Sequence, residues 1–244
     1  MITTRKTTLA IAIVFSLLST AIAKPPTSRE GLVLWFQKGP SVAKVNDSSG
    51  HRNDGEPVSV VVSNSPSLVS MQDTHQLTLA LWIKPNSIPH EFPVLISKGG
   101  NQPPGAYGGY ELTLNSNSGN DILFLSGGFY AETIQADESS INQHLGEWTH
   151  VAFTIDTDAQ TAQFYVNGEG VTNSMPVGSF SDVNFDVPND LYFGMPDPAA
   201  NANRARFDGT MSQIMIYNRV LSAQEIHNIF SRTKPKEKPS RGKN

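Results

Sequence analysis

The chain has 244 residues, of which 38% are hydrophobic and 16% charged, and its formal net charge is −4. This composition is typical of a folded protein rather than a disordered one, and the length suits a single all-β domain. The sequence contains no cysteine, which excludes disulfides, thiol catalysis, iron–sulfur centres and cysteine-ligated zinc.

The first 23 residues have the pattern of a secretory leader. Arg5 and Lys6 precede an apolar run of about ten residues, Leu9 to Leu18, and Ala21-Ile22-Ala23 supplies the small residues of a cleavage site. The run is short for a membrane-spanning helix, which needs about 20 residues. We therefore predict a signal peptide at 1–23, cleaved after Ala23, and a secreted, periplasmic or cell-envelope location. An uncleaved membrane anchor is the alternative.

Charge is unevenly distributed along the chain. Without the two cations of the leader, 16 basic side chains face 22 acidic ones, which leaves a net charge of −6. Residues 232–244 carry six Lys or Arg and one Glu, so residues 24–231 carry −11. We predict a linker at 24–30 and a basic, disordered tail at 232–244, with adhesion to an anionic envelope as the tail's alternative role. The acidic body argues against nucleic-acid binding.

From residue 31 onward, short apolar runs, most of them alternating, predict β-strands separated by turn-rich segments. The predicted strands are 31–36, a shortened one at 58–63, 76–85, 94–98, 110–114, 122–126, 129–134, 148–155, 161–166, 190–194 and 207–217. Segments rich in Gly, Pro, Asn, Asp or other polar residues predict loops at 47–55, 99–109, 178–189 and 195–205. The capping box that begins at Ser222 and includes Glu225 predicts one helix, through Phe230.

The clearest of these patterns is the hairpin between Gly146 and Gly168. Residues 149, 151, 153 and 155 alternate with 148, 150, 152 and 154, and a second strand returns through 161–166 to Asn167-Gly168. That dipeptide suits a tight turn because both residues tolerate positive φ. Roughly ten short strands and a single helix predict an all-β fold, a two-sheet antiparallel sandwich with its apolar side chains between the sheets.

Several segments together resemble the laminin-G-like jelly roll, the group with the concanavalin A-like lectin and glucanase fold. The matching pieces, in chain order, are GLVLW at 31–35, DSSG at 47–50 with NDG at 53–55, LTLALWIKP at 77–85, LISKG at 95–99, GEWTHVA at 146–152 with NG at 167–168, and FDG at 207–209 through IYNRVLSAQEI at 216–226. The resemblance spans residues 31–231 and implies a jelly-roll sandwich with one short C-terminal helix.

Two departures from that family bear on metal binding. Related domains often hold calcium with acidic side chains and carbonyls of the early turn and the last strand. Family members usually have about twenty residues between this turn and the strand before Pro85, whereas here residues 55–57 run almost directly into 58–63, so that one early strand or hairpin is shortened or lost. In addition, Ser212-Gln213 stands where the family typically has an acidic pair. Asp47 is the candidate metal ligand that remains, but serine is a poor ligand for a hard cation. We therefore expect a degraded calcium site and no other cofactor.

Motifs of common enzymes are missing from the sequence. Glucanases of this fold carry Glu-x-Asp-x-(x)-Glu on one strand, and no Glu-x-Asp occurs in this chain. The sequence also lacks Gly-x-Ser-x-Gly, His-Glu-x-x-His and a P-loop, and its six histidines have no metal-ligand spacing. Glu132, Asp137 and Glu138 are interpreted as surface charges, and Asp156 and Asp158 as caps of a turn that could also touch a cation.

The resemblance and the leader together predict a non-catalytic secreted binding module that recognises a glycan or cell-surface polysaccharide. A structural or adhesive envelope protein that binds other proteins is the main alternative, and a glucanase-like enzyme a further one. No residues are assigned to the ligand site. Loops with exposed aromatic and amide side chains are weak candidates for sugar contact, namely Tyr107, Tyr110, Asn101, Gln102 and the segment 195–206. Trp35, Trp82 and Trp148 are predicted to be packing residues.

Overall fold

The computed structural model describes residues 28–38, 46–54, 60–88, 92–100, 108–115, 121–126, 132–135, 144–171, 183–198 and 204–236. Thirteen strands and three helices form within these ranges. The strands are β1 (Leu32–Phe36), β2 (Val60–Val62), β3 (Gln76–Pro85), β4 (Phe92–Gly100), β5 (Gly108–Asn115), β6 (Asp121–Ser126), β7 (Glu132–Gln135), β8 (Thr149–Asp156), β9 (Thr161–Val166), β10 (Glu169–Val171), β11 (Leu191–Phe193), β12 (Arg204–Arg206) and β13 (Gly209–Tyr217). The helices are α1 (Pro66–Val69), α2 (Met71–Thr74) and α3 (Ala223–Thr233).

Two sheets pack face to face. The first sheet has the strand order β1-β13-β3-β8-β9-β10, and the second has β2-β11-β4-β5-β6-β7. Neighbouring strands in these orders run antiparallel, whereas β12 pairs with β4 in parallel. The predicted all-β sandwich with a C-terminal helix is therefore confirmed.

The core lies between the sheets and follows the period-two pattern. Along β8, Val151, Phe153 and Ile155 are buried in the inter-sheet core, while Ala152 lies in a second cluster on the other side of the sheet. On β5, Tyr110, Leu112 and Leu114 face the core in the same way. Alternation of apolar side chains thus assigns each strand its inner face.

The second apolar cluster corrects the expectation that apolar side chains face only the inter-sheet space. Helix α3 covers the outer face of the first sheet, and its Ile226 and Ile229 pack with Trp35 and Tyr217. The helix begins at the predicted capping box, where Ser222 Oγ accepts a hydrogen bond from the Glu225 N–H (3.3 Å) and the Glu225 carboxylate accepts one from the Ser222 N–H (2.9 Å). It ends at Thr233, three residues beyond the predicted end.

Several local predictions differ from the structure. α1 and α2 are single helical turns that the sequence pattern does not predict, because four residues are too few to show the helical periodicity of apolar side chains. β12 overlaps the end of the segment predicted as a loop at 195–205, and it forms through pairing with β4 rather than through apolar alternation. The predicted strand 207–217 begins at Gly209. In the described part of the chain, no helix is long and apolar enough to cross a membrane.

Candidate functional site

The early turn around Asp47 is built from hydrogen bonds within the protein. The Asp47 carboxylate accepts hydrogen bonds from four donors, which are the N–H of Trp35 (2.9 Å), the N–H and Oγ of Ser49 (2.8 and 2.7 Å) and the N–H of Asn53 (3.0 Å). These bonds order the turn and tie it to β1. Asp47 therefore has a structural role in this geometry, whatever its affinity for a cation.

The last strand meets the same end of β1. Ser212 Oγ donates a hydrogen bond to the Gln37 carbonyl (3.1 Å), and Gln213 Oε1 accepts one from Trp35 Nε1 (3.0 Å). Gln213 has φ 51° and lies at a register shift of β13, so its side chain turns toward Trp35. The two segments that the family resemblance links to calcium thus converge at β1, where amide and hydroxyl groups replace the acidic pair.

Within the described residues, no group of three or more His, Cys, Asp or Glu side chains is placed to hold a metal ion. Asp156 caps its turn as predicted, because Oδ1 accepts hydrogen bonds from the N–H of Asp158 (3.0 Å) and of Ala159 (2.8 Å). Calcium binding at Asp47 remains a prediction to be tested by titration.

Three neighbouring strands of the second sheet carry polar side chains on their outer face, in contrast to the apolar cluster on the outer face of the first sheet. Tyr192, Ser97 and Glu111 are cross-strand partners on β11, β4 and β5, in a row that we call the outer row. Ser97 and Glu111 are buried, and Tyr192 is partly exposed. The Ser97 hydroxyl is buried without a hydrogen-bond partner among the described residues, and so is that of Thr113 two positions along β5 from Glu111.

A buried ion pair adjoins the outer row. Arg204 on β12 donates a hydrogen bond through Nε to Glu111 Oε1 at 2.6 Å, and the two side chains are 4% and 7% exposed. The guanidinium also lies 5.0 Å from the ring centre of Phe92. Burial raises the pKa of Glu111, although the charge and hydrogen bond of Arg204 act in the opposite direction.

A second polar group lies where β2 ends and β11 begins. Lys98, on the neighbouring β4, donates hydrogen bonds to Asn64 Oδ1 (2.7 Å), the Val187 carbonyl (3.1 Å) and the Asn189 carbonyl (2.6 Å). Asn189 Nδ2 donates to Asp197 Oδ2 (2.9 Å), and Asp190 Oδ1 accepts from the Asn64 N–H (3.0 Å). We call these five side chains the Lys98 network, namely Asn64, Lys98, Asn189, Asp190 and Asp197.

Glycine lets the segment before β11 approach the sheet closely. Gly109 has φ +94°, and its N–H donates a hydrogen bond to the Asn184 carbonyl (2.7 Å). A side chain at the adjacent Gly108 would lie 2.5 Å from Val187, and one at Gly109 would collide with the Lys98 carbonyl. The neighbouring Phe185 packs edge-on against Tyr110 and is 1% exposed. The segment 183–190 is thus held by backbone, aromatic and Lys98 contacts together.

Burial and neighbouring charges shift the pKa values of Lys98 and Tyr192. Burial lowers the pKa of Lys98 from 10.5 to about 8, while the charges of Asp190, Asp186 and Asp197 act to raise it. Burial also raises the pKa of Tyr192, and the charges of Asp197 and Asp190 reinforce that shift. Lys98 itself faces the opposite side of the sheet from Tyr192, because its cross-strand partners Leu191 and Tyr110 lie in the inter-sheet core. The Lys98 network therefore holds the segment that leads into β11, and the outer row together with the adjoining Asp190 forms the polar surface that we call the Tyr192 surface.

Some of the other residues proposed from the sequence as sugar-contact, packing or surface residues are described in the structure, and others are not. Tyr110 is 1% exposed and belongs to the core, so its assignment as a surface aromatic is wrong. Trp35 and Trp82 are buried packing residues as predicted, and Trp148 is partly buried. Further candidates lie outside the described residues or, for Glu132, have no described side chain, and these are Asn101, Gln102, Tyr107, Glu132, Asp137 and Glu138.

Sequence reasoning missed the Tyr192 surface, although part of its signal was present. Glu111 and Thr113 alternate with the apolar residues of β5, which places them on the outer face, and Ser97 directly follows the apolar run at 94–96 of β4. The link from Lys98 to Asn189 joins residues 91 positions apart, and no local pattern could have indicated it.

The solved structures that resemble this fold have low sequence identity. The binding domain of Paraclostridial Mosquitocidal Protein 1 matches with TM-score 0.56 and 17% identity, covering 83% of this chain and 52% of that one. A botulinum neurotoxin type C structure, described by the dependence of its cell entry on two ganglioside molecules, matches with TM-score 0.61 and 15% identity, covering 85% and 52%. Trypanosoma rangeli sialidase matches with TM-score 0.53 and 17% identity, covering 82% and 33%. The chain spans about half of the two binding proteins and a third of the sialidase.

These structural likenesses support the fold. Among curated proteins, no sequence matches this chain. A laminin G family model, described as "Concanavalin A-like lectin/glucanases superfamily", matches residues 58–227, more than two thirds of the chain. That match covers the strands from β2 through β13, including both sheets' central strands. The chain therefore belongs to the Concanavalin A-like lectin/glucanases superfamily.

Proposed function

We propose that this chain is a non-catalytic, exported binding module that recognises a glycan at the Tyr192 surface. The observation that carries the proposal is the contrast between the two outer faces of the sandwich. Helix α3 and an apolar cluster close the first face, whereas on the second the partly exposed Tyr192 lies opposite Ser97 and closely follows the partly exposed Asn189 and Asp190 in the chain. Amides and carboxylates match the hydroxyl groups of sugars, and an aromatic ring offers an apolar surface to a pyranose.

Binding without catalysis is supported by the state of the buried carboxylate. A glycosidase needs a carboxylic acid that protonates the leaving group and a second carboxylate at a defined separation. Glu111 instead forms a buried ion pair with Arg204 at 2.6 Å, and the sequence has no Glu-x-Asp motif. The sialidase among the similar structures is an enzyme, so release of reducing ends from β-glucans is the measurement that would contradict this part.

A glycan array tests the site itself. We expect the wild-type protein to bind one class of glycan and Tyr192→Ala to lose most of that binding, because the ring and its hydroxyl contribute both apolar and polar contact. His227→Ala is the matched control, since His227 is exposed on α3 over the opposite sheet. Both variants should retain the wild-type melting temperature. A protein that binds no sugar but captures an envelope protein would support the adhesive alternative instead.

Export is a separate part of the proposal, supported by the leader pattern at residues 1–23. We expect mass spectrometry of the exported protein to find Lys24 at its N-terminus. Met1 or Thr3 at that position would contradict cleavage. Deletion of residues 232–244 tests the tail, because unchanged envelope retention would rule out its adhesive role.

A further inference from the structure

We propose that helix α3 is a pH-sensitive cover of the first sheet, and that protonation of His150 beneath its last turns releases the helix locally while the strands of both sheets remain paired. This inference goes beyond glycan binding and does not depend on it. It is carried by the burial of the His150 ring, by the side chains of α3 that cover the ring, and by the way in which the helix is attached.

The His150 ring is buried on the outer face of the first sheet. Its centre lies 5.3 Å from that of Trp82, its cross-strand partner on β3, and 6.1 Å from that of Phe230 on α3. The side chain is fully buried, and neither ring nitrogen has a hydrogen-bond partner within the described ranges. A neutral imidazole leaves one donor and one acceptor unpaired here, whereas an imidazolium would leave two donors and a charge. The covered position therefore disfavours the protonated ring.

The cover over His150 consists of side chains from the last turns of α3. Phe230 stacks on Trp82 with the ring centres 5.5 Å apart, and Phe230 is itself partly exposed. Trp82 Nε1 donates a hydrogen bond to Thr233 Oγ1 at 2.9 Å. Because a side chain that contacts the His150 ring also reaches solvent, displacement of these turns brings water to the ring without opening the inter-sheet core.

Polar contacts anchor the first turn of α3. Arg219 donates hydrogen bonds to Glu225 Oε1 (2.6 Å) and to the Glu30 carbonyl (2.9 Å), and the capping box fixes the same turn. Further along the helix, Ile226 and Ile229 pack against the apolar outer cluster. In the described part of the chain α3 follows the last strand, so release of its final turns breaks no strand pairing. Local opening from that end exposes the histidine ring while the sheets persist.

Charged side chains lie around the covered ring but do not offset its burial. The charged and titratable residues near His150 in the neighbouring elements are Lys84 on β3, Glu147 just before β8, Glu169 on β10, and His227, Arg232 and Lys234 on or directly after α3. Glu169 lies 3.5 Å from His227. Burial lowers the pKa of His150 from 6.5 to about 3, and none of these six side chains contributes to the shift.

The direction and size of the effect follow from proton linkage. With a pKa of 6.5 in water and about 3 beneath the helix, His150 binds a proton in the open state and not in the closed state between these two pH values. Opening of α3 is therefore favoured as the pH falls below 6.5, and its equilibrium constant should rise about 90-fold from pH 7.5 to 4.5. Acid would thus uncover the apolar outer face, including Trp35 and Tyr217, far more often.

Native-state hydrogen exchange in guanidinium chloride below the unfolding midpoint, at pH 7.5 and 4.5, tests the inference without any ligand. We expect the amides of residues 229–233 to exchange faster than those of residues 79–83 and 214–217, through an opening that depends only weakly on denaturant. From pH 7.5 to 4.5 their protection factors should fall about 90-fold in the wild type relative to His150→Phe. His150→Leu should behave like His150→Phe, and His227→Gln, at an exposed histidine of α3, should follow the wild type.

Two results would overturn the inference. If the amides of α3 exchange with the same denaturant dependence as those of the sheets, the helix opens only when the whole fold unfolds. If the protection of α3 falls equally in the wild type and in both His150 variants, the His150 ring is not the group that senses pH. The two His150 substitutions differ in shape, so a packing defect peculiar to one of them would appear as a difference between the variants.

Discussion

His150 is expected to make the fold sensitive to acid. Its ring is fully buried on β8 beneath α3, with its centre 5.3 Å from that of Trp82 and 6.1 Å from that of Phe230. Neither ring nitrogen has a hydrogen-bond partner among the described residues. Burial lowers the pKa of His150 from 6.5 to about 3, because the charged imidazolium would lose its hydration in the protein interior.

The direction of the pH dependence follows from proton linkage. Between pH 6.5 and about 3 the unfolded chain binds a proton at His150 and the folded chain does not, so the free energy of unfolding falls as the pH falls. From pH 7.5 to 4.5 the loss amounts to about 2.7 kcal/mol for this one group. Relaxation of the helix around a charged ring would reduce that figure, which is therefore an upper value.

The comparison of the wild type with His150→Phe isolates this contribution. We would measure unfolding in guanidinium chloride at pH 7.5, 5.5 and 4.5, and the carboxylates that titrate in both proteins cancel in the difference. As the pH falls from 7.5 to 4.5, the free energy of unfolding of His150→Phe should rise by about 2 to 3 kcal/mol relative to that of the wild type, whatever the stability of the variant at pH 7.5. His227→Gln, at an exposed histidine of α3, should follow the wild type. A wild-type and His150→Phe pair with parallel pH profiles would refute the reasoning.

Three further predictions concern stability and metal binding. Arg204→Met should destabilise the fold by about 3 to 5 kcal/mol in denaturant titrations, because it leaves Glu111 charged and buried. Adding Glu111→Gln to Arg204→Met should recover part of that loss, and an Arg204→Met variant with wild-type stability would contradict a buried pair. Gly168→Ala should lower the free energy of unfolding by at least about 1 kcal/mol more than Gly146→Ala does. Both glycines have positive φ, but only at Gly168 would the new Cβ lie 2.9 Å from Phe230. Equal melting temperatures of the two variants would show that Phe230 moves aside freely. Millimolar calcium should leave the melting temperature unchanged, because the Asp47 carboxylate already accepts four hydrogen bonds. A melting temperature that rises with the logarithm of the calcium concentration would establish a site.

Local patterns in the sequence were sufficient to predict the scaffold. The alternation at residues 149–155 and the Asn167-Gly168 turn depend on neighbouring residues, and the structure confirms β8, β9 and the turn with positive φ at both turn residues. The capping box at Ser222 likewise contains its own partners. Even the error at Tyr110 was avoidable, since period two places it with Leu112 and Leu114 on the inner face.

The candidate site depends on contacts that join distant segments. Lys98 meets Asn64, 34 positions away, and Asn189, 91 positions away, and Arg204 reaches Glu111 across 93 positions. β12 has no apolar alternation, because its sequence is Arg-Ala-Arg, and it exists through pairing with β4. Such contacts follow from sheet order, which the family resemblance implies only in outline.

Hydrogen exchange with bound glycan tests whether the glycan binds at the Tyr192 surface. The best ligand from the array would be added to the wild-type protein, and amide protection would be compared along the chain with and without it. We predict that the glycan adds protection to the backbone amides of residues 183–198 and 204–206, around the Tyr192 surface, and adds none in α3 or β10. Protection confined to α3 and the first sheet, or unchanged exchange throughout at saturating glycan, would contradict it.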